Sequence, residues 1–582
     1  MLRCPARLLL LVSLCCCWPA LSAQQPLAEG SAEMTAHVAT AIREWVAEFE
    51  KGRLSGKALV RRGTDLQPRY MAAARRAQLL TSNDEETITH LDSLQKMLFY
   101  AERYPSPELA DAVLGIAAAG LETAFLDHEA LELRELGHWS LHRVDAQSVW
   151  FLILRAAAGE RVPLLSDLRA NEVQKGEDGI GVGPARRVAA LHLLGRKNWA
   201  VFKSTLEAAL VDVDPRVRLA AAEAMAPPWR LDALRKAGGA LANEHHPVVS
   251  QALVRLMLSM LRHPPKDLTA EVREIFVAGA LAQFGRCGWR TDMDLLAIVE
   301  AFPHKAAIPT LIAALDLEVR TPDALVTAVN KRASPILRER AGTLLRAMTG
   351  AVLLADDAAV WREFWQREQK NIVVPERLPV QRENGTRAQF FGVPITGGSI
   401  AFLVDTSGSM EDAPAGGVQT GPRSRRREGS RLAAAKEQLL LAAQAMPSES
   451  QYYVLTFAGR GKTWTSSPIK PSANSLRSLT ELLSRMHAHG STNLFDGLAL
   501  ALQWQDRRYG EAASSRIDEL FVLSDGEPTV GEVTDIDDLL QIVREANKYA
   551  KVRIHTVFTG TGSGADLLRR LAAENGGVFV QR

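Results

Sequence analysis

The sequence predicts a multidomain protein, all-α in its N-terminal part and α/β with a doubly wound sheet in its C-terminal part. Three observations carry this. From about residue 30 to 368, apolar residues recur at three- and four-residue steps with few β-branched runs, the period of helices. From Asn371 to Gly398 that period is lost and Pro375, Pro379, Gly385, Pro394, Gly397 and Gly398 accumulate, as in a linker. From Ser399 onward short apolar runs alternate with amphipathic segments, the pattern of a mainly parallel sheet covered by helices on both faces. At 582 residues the chain exceeds one ordinary domain, and 47% hydrophobic with 23% charged residues is the composition of a folded protein.

The first 23 residues stand apart. Arg3 and Arg7 precede an apolar run from Leu8 through Leu14 into Cys15, Cys16, Cys17 and Trp18. This run has the length of a signal-peptide core and falls short of the roughly 20 residues a membrane span needs. Small residues at Ala20, Ser22 and Ala23 offer cleavage before Gln24 or Gln25. Export to the periplasm, the cell surface or the medium is expected, with an uncleaved N-terminal anchor as the other reading. Four of the five cysteines fall in this segment, which leaves Cys287 without an intramolecular disulfide partner. No later run of apolar residues is long enough to span a membrane. A formal net charge of +2 gives no reason to expect nucleic acid as a partner.

Within 24–368 several helices announce their starts. Asp214-Pro215 opens a face of Val217, Ala221, Ala224 and Met225; His246-Pro247 opens one of Val249, Leu253, Leu256 and Met260. Ser334-Pro335 leads Leu337, Ala341, Leu344, Leu345 and Met348, with Gly350 placed to end the helix. Proline at a first helical turn sacrifices no hydrogen bond, because that N–H has no partner inside the helix. Ile308 to Leu315 reads as a further helix. Units of this size bury their apolar faces by stacking, which favours an α-solenoid over an ordinary bundle of similar periodicity. Asp214 to Met225 resembles the second half of a HEAT repeat. After the 369–398 linker, which holds the sequon Asn384-Gly385-Thr386, Ile400–Val404, Tyr452–Phe457, Leu520–Leu523, Val552–Phe558 and Val578–Val580 read as strands. Ser430 is placed to cap a helix that Pro447 ends; Leu476–Met486, Ile536–Val543 and Leu567–Ala573 read as others.

Three loops at strand ends carry chemistry: Asp405-Thr406-Ser407-Gly408-Ser409 after one strand, Gly490-Ser491-Thr492-Asn493 before a helix, and Ser524-Asp525-Gly526 after another strand. In open α/β sheets such loops share the edge where ligands bind. Asp405 and Asp525 offer carboxylates, and Ser407, Ser409 and Thr492 offer hydroxyls, a set that suits Mg²⁺, Mn²⁺ or Ca²⁺ and not zinc or copper. Two carboxylates only balance the charge of such an ion, which stays electrophilic toward water or an incoming carboxylate. Single Asp, Ser and Gly residues at strand ends are ordinary caps and turns, but that explains one loop and not three.

Asp405-x-Ser407-x-Ser409, Thr492 and Asp525 resemble the metal-ion-dependent adhesion site of von Willebrand factor type A domains, in order and in strand context. The words from Phe402 to Met410 and from Phe521 to Pro528 are most similar to the bacterial and inter-α-inhibitor-like branch. The resemblance covers 399–582. It implies a Rossmann-like fold, an ion contacted by the serines and threonine with the aspartates bound directly or through water, and a partner's acidic side chain completing the site. The segment from Glu411 to Gly429, with Arg423, Arg425, Arg426 and Arg427, lies beside the site as a solvated loop, or as a clamp for an acidic partner or a processing site. His487 and His489 lack a third ligand, and Cys287 has no nucleophile motif around it. No metalloprotease, nucleophile-elbow or phosphate-loop motif occurs. The expected function is therefore an exported, non-catalytic binding or adhesion protein that captures a protein ligand through Mg²⁺. The helical region would be a scaffold or a second protein-binding surface. Alternatives are an assembly scaffold with a vestigial metal site and, further off, a metal-assisted hydrolase.

Overall fold

The computed structural model describes residues 30–50, 94, 97–123, 125–160, 182–316, 334–353, 357–379, 388–412, 429–505, 507–560, 562 and 564–582. The expected signal segment, the sequon at Asn384 and the arginine-rich stretch of the 411–429 loop lie outside these residues. The chain divides into two compact units, 1–209 and 210–582.

The first unit is helical. It contains α1 (Ala32–Glu50), α2 (Pro107–Ala117), α3 (His128–Arg143), α4 (Gln147–Ala157), α5 (Pro184–Lys197) and α6 (Lys203–Ala209). α2 packs against α1, α3 and α4, and α4 against α5. Ser106 and Asp127 cap α2 and α3 by accepting from the backbone N–H three residues on, which satisfies donors that the first helical turn leaves free.

The second unit begins with α7 (Pro215–Ala224), α8 (Leu231–Asn243), α9 (Pro247–Arg262), α10 (Ala270–Leu281), α11 (Trp289–Ala301), α12 (Ile308–Leu315), α13 (Pro335–Thr349) and α14 (Ala358–Glu368). The expected starts at Pro215, Pro247 and Pro335 are the observed first residues, and Gly350 ends α13 in a left-handed conformation (φ 72°). Helices two apart in sequence pack side by side. α7, α9, α11 and α13 form one row, and α8 with α10 and α12 with α14 pair in the same way behind it. Short helices cannot bury an apolar stripe alone; this stacking supplies the missing face.

A two-stranded hairpin, β1 (Gln389–Phe390) and β2 (Val393–Pro394), leads into the sheet and adds Phe390 to its core. The main sheet has the order β5-β4-β3-β6-β7-β8, with β3 (Ser399–Asp405), β4 (Gln451–Phe457), β5 (Gly461–Thr463), β6 (Glu519–Ser524), β7 (Arg553–Phe558) and β8 (Phe579–Gln581). Every neighbouring pair is parallel except β4 with β5. The helices α15 (Arg431–Ala445), α16 (Ala473–Arg485), α17 (Leu494–Leu502), α18 (Ile536–Asn547) and α19 (Gly564–Glu574) connect the strands. This is the doubly wound, Rossmann-like α/β fold read from the sequence. Every residue of β6 is buried, as a strand covered on both faces requires. The chain leaves β3 for β4 on one side and later returns to β6 on the other. The carboxyl end of β3 is thus the point where such sheets open a ligand crevice.

At the opposite, amino end of the strands, two consecutive carboxylates hold the entry to β3. Asp518 accepts from the N–H groups of Gly398 and Ser399, each at 3.0 Å, and from the Ser334 hydroxyl at 3.3 Å. Glu519 accepts from Thr396 N–H at 2.9 Å and Gly397 N–H at 2.8 Å. The α7–α9–α11–α13 row meets the domain at this end. Glu223 of α7 takes the hydroxyls of Tyr509 and Tyr549 and the Lys548 ammonium. Arg255 of α9 donates to the Lys548 carbonyl and lies over the Tyr549 ring at 4.8 Å. On α11, Arg290 donates to the carbonyls of Ala550 at 2.7 Å and Ser515 at 3.0 Å, and Asp294 pairs with Lys551 at 2.6 Å.

Candidate metal centre

Asp405 ends β3 and Asp525 immediately follows β6, its hydrogen-bonded neighbour, so the ladder register sets the two carboxylates beside each other. The loop after Asp405 turns at once into a short 3₁₀ segment, Gly408–Glu411. Its path is fixed by backbone bonds: Thr406 N–H donates to Phe457 O at 2.8 Å, Gly408 N–H to Gly490 O at 3.0 Å, and His489 N–H to Thr406 O at 2.8 Å. The second loop is thereby tied to the first. Thr492 and Thr529 exchange bonds, the Thr529 N–H donating to Thr492 O at 2.8 Å and the Thr492 N–H to the Thr529 hydroxyl at 3.0 Å. Asn493 caps α17 by accepting from Asp496 N–H at 3.1 Å.

Four of the five residues expected as ligands form a connected chain, and Thr492 lies outside it, bonded through its backbone to Thr529. Asp405 accepts from Ser407 N–H at 2.8 Å, and the hydroxyls of Ser407 and Ser409 lie 3.2 Å apart. The Ser409 hydroxyl donates to Asp525 Oδ1 at 2.9 Å. Asp405, Ser407, Thr492 and Asp525 are buried and Ser409 is exposed, so the cluster has one open side. Burial, aided by the Asp525 charge, pushes the Asp405 carboxyl up to about 6 against the hydrogen bonds from Ser524 and Ser407. Two carboxylates and three hydroxyls, all oxygen, fit a hard divalent cation.

Two residues that the sequence reading did not single out complete the arrangement. The Ser524 hydroxyl donates to Asp405 Oδ2 at 2.6 Å and so fixes the carboxylate from behind. Arg431, the first residue of α15, places Nη1 2.6 Å from Asp525 Oδ2 and 3.2 Å from Ser409 O. A detectable signal was present for Arg431. A cation in the first turn of a helix opposes the helix dipole and calls for an anionic partner nearby. Of the other residues weighed from sequence, His487 and His489 lie beyond the end of α16, and His489 Nδ1 contacts His487 O at 3.0 Å. Cys287 is half-buried, accepts from the Ser250 hydroxyl at 3.1 Å, and has its thiol pushed up by burial, away from nucleophilic chemistry.

The sequence model of the von Willebrand factor type A domain matches residues 400–527. Over 204 residues the chain is 26% identical to "Inter alpha-trypsin inhibitor, heavy chain 4" of Mus musculus, covering 34% of this chain and 20% of that protein. Over 211 residues it is 26% identical to "Inter-alpha-trypsin inhibitor heavy chain H3" of Homo sapiens, covering 35% and 21%. The chain thus spans about a fifth of the length of the curated relatives it matches. Among solved structures it is similar to "von Willebrand factor type A from Catenulispora acidiphila", at 20% identity and a TM-score of 0.24, over 32% of this chain and 38% of that one. Among the described residues, no helix is long and apolar enough to cross a membrane. Residues 400–527 of this chain are a von Willebrand factor type A domain, homologous to the inter-alpha-trypsin inhibitor heavy chains.

Proposed function

We propose that this is an exported, non-catalytic protein that captures a protein ligand through a divalent cation, Mg²⁺ before Mn²⁺ or Ca²⁺, held by Asp405, Ser407, Ser409, Thr492 and Asp525. The observation that carries this reading is the chain of hydrogen bonds from Asp405 through Ser407 and Ser409 to Asp525, open on the Ser409 side. A cation there would supply an electrophile to which an acidic side chain of the ligand adds. This chain's residues supply the rest. Ser524 and the Ser407 N–H orient Asp405, and the bonds to Gly490 and Phe457 keep the loops from spreading. Among the described residues the carboxylates within the cluster are engaged by serine, backbone and arginine donors. The division of labour proposed is a HEAT-like helical region, 24–368, as scaffold or second interaction surface, a 369–398 linker, and the 399–582 domain as the ligand-binding part, after removal of residues 1–23.

The test is calorimetric titration of Mg²⁺ and Mn²⁺ into the full chain and its Asp405→Ala variant. Saturable one-site binding to the wild type and none to the variant is the expected result. Equal heats from both would remove the metal from the reading and leave the helical scaffold.

A further inference from the structure

Arg431 stands in contact with two of the residues assigned to the cation. Its guanidinium touches the Asp525 carboxylate and the Ser409 carbonyl, and Arg431 is only 9% exposed. Asp412, at 3.7 Å, is a more distant and solvent-exposed acid. The Arg431 Nε is buried and has no hydrogen-bond partner among the described residues. A buried, half-satisfied guanidinium is costly, and the first turn of a helix adds an unfavourable dipole. Attraction to Asp525 is the term that offsets both.

The charges make the consequence definite. With Arg431 in place and both aspartates ionised, the cluster carries one net negative charge. A divalent ion added beside Arg431 brings it to one net positive charge, whereas the same ion without the guanidinium would bring it to zero. We propose that Arg431 is a tethered counter-cation that holds Asp525 in the absence of metal and competes with the divalent ion for it. On this view the side chain sets the cation affinity of the site. It keeps the affinity low for metal alone and leaves the loaded site with a surplus positive charge that an acidic ligand neutralises. The proposal rests on the metal-binding reading above.

The test uses the full chain, with Mn²⁺ and Mg²⁺ titrated calorimetrically into the wild type, Arg431→Gln and Arg431→Met, the last preserving the packing of the stem. Removing one unit charge within contact distance of a ligand carboxylate should tighten binding by at least about tenfold. In chelator, both variants should melt below the wild type, because the two carboxylates are left unbalanced. Added Mn²⁺ should raise their melting temperatures more than it raises that of the wild type. If one variant fails to fold, the other carries the same comparison. Variants that bind metal no more tightly than the wild type, with wild-type binding still abolished by Asp405→Ala, would overturn the counter-cation role and leave the metal site standing. No saturable binding by the wild type or by either variant would overturn both.

Discussion

The Asp292 carboxylate lies in the first turn of α11, 1% exposed, with one oxygen accepting from Gly285 N–H at 2.8 Å. Its other oxygen is buried without a hydrogen-bond partner among the described residues. Burial pushes this carboxyl up to about 7. Because its folded value lies above the unfolded one, the native state binds more protons through the interval between them. Stability is therefore lost as pH rises from about 4 to about 7. Asp292→Asn keeps the bond from Gly285 and removes the charge. Urea titrations at pH 5 and pH 7.5 should show the wild type losing roughly 2–4 kcal/mol more than the variant between the two conditions. A parallel pH dependence in both proteins would refute this assignment. At the candidate cation site the same scale explains what the sequence showed. Aspartates and serines spaced as in Asp405-x-Ser407-x-Ser409 advertise a hard-cation chemistry by residue type alone. Ser524 did not, since serine beside an aspartate is ordinary turn chemistry, and Arg431 signalled only the need for some anion without naming it. An arginine opening a helix gains meaning only once β6 brings Asp525 to it.

The loop after β7 meets the loop after β6 with no room to spare. A Cβ on Gly560 would stand 2.0 Å from the Asp525 carbonyl oxygen, so any side chain there must push Asp525 away. Gly560→Ala should weaken cation binding by about tenfold or more, at a stability cost of roughly 1–3 kcal/mol. Calorimetry and denaturant unfolding on one preparation would read both, and unchanged cation affinity would show that the loop absorbs the strain elsewhere. Elements were legible where burial dictated composition. β3, β4, β6 and β7 are apolar runs because helices cover both faces, and α7, α9 and α13 declare themselves through proline at their first residue. β5 was not legible: Gly461-Lys462-Thr463 is a three-residue polar edge whose strand character comes from pairing with β4, not from its own residues. The β1–β2 hairpin likewise sits inside a proline- and glycine-bearing stretch, and it depends on Phe390 packing against Phe402 and Phe521 at ring separations of 5.1 and 5.6 Å. α16 begins at Ala473, ahead of its first apolar marker, because Ser472 and Ser475 cap each other without the acidic residue that usually signals such a box.

Within the 210–582 unit, the contacts described between the helices and the sheet domain come from one row, α7, α9, α11 and α13, and fall at the amino ends of the strands. Glu223 is the hub, gathering Tyr509, Lys548 and Tyr549. None of these pairings has a local sequence signal, because each joins residues hundreds of positions apart, and so the docking could not be read in advance. Glu223→Ala removes the acceptor shared by two tyrosine hydroxyls and the Lys548 ammonium, which keeps Glu545 at 3.8 Å, and should destabilise this unit by about 1–3 kcal/mol. Thermal unfolding of the variant is expected to split into separate helical and sheet-domain transitions, with cation affinity unchanged; a single cooperative transition at the wild-type temperature would show that the hub is dispensable. The placement of the two ends has a mechanical consequence. The loops of the proposed cation site leave the carboxyl ends of β3 and β6, and the helical row grips the domain at their amino ends. Under the proposed function, tension from a ligand held at those loops against the helical row runs along the strands. The parallel ladder between β3 and β6 is loaded in shear, with its hydrogen bonds sharing the force together instead of opening one after another like a zip.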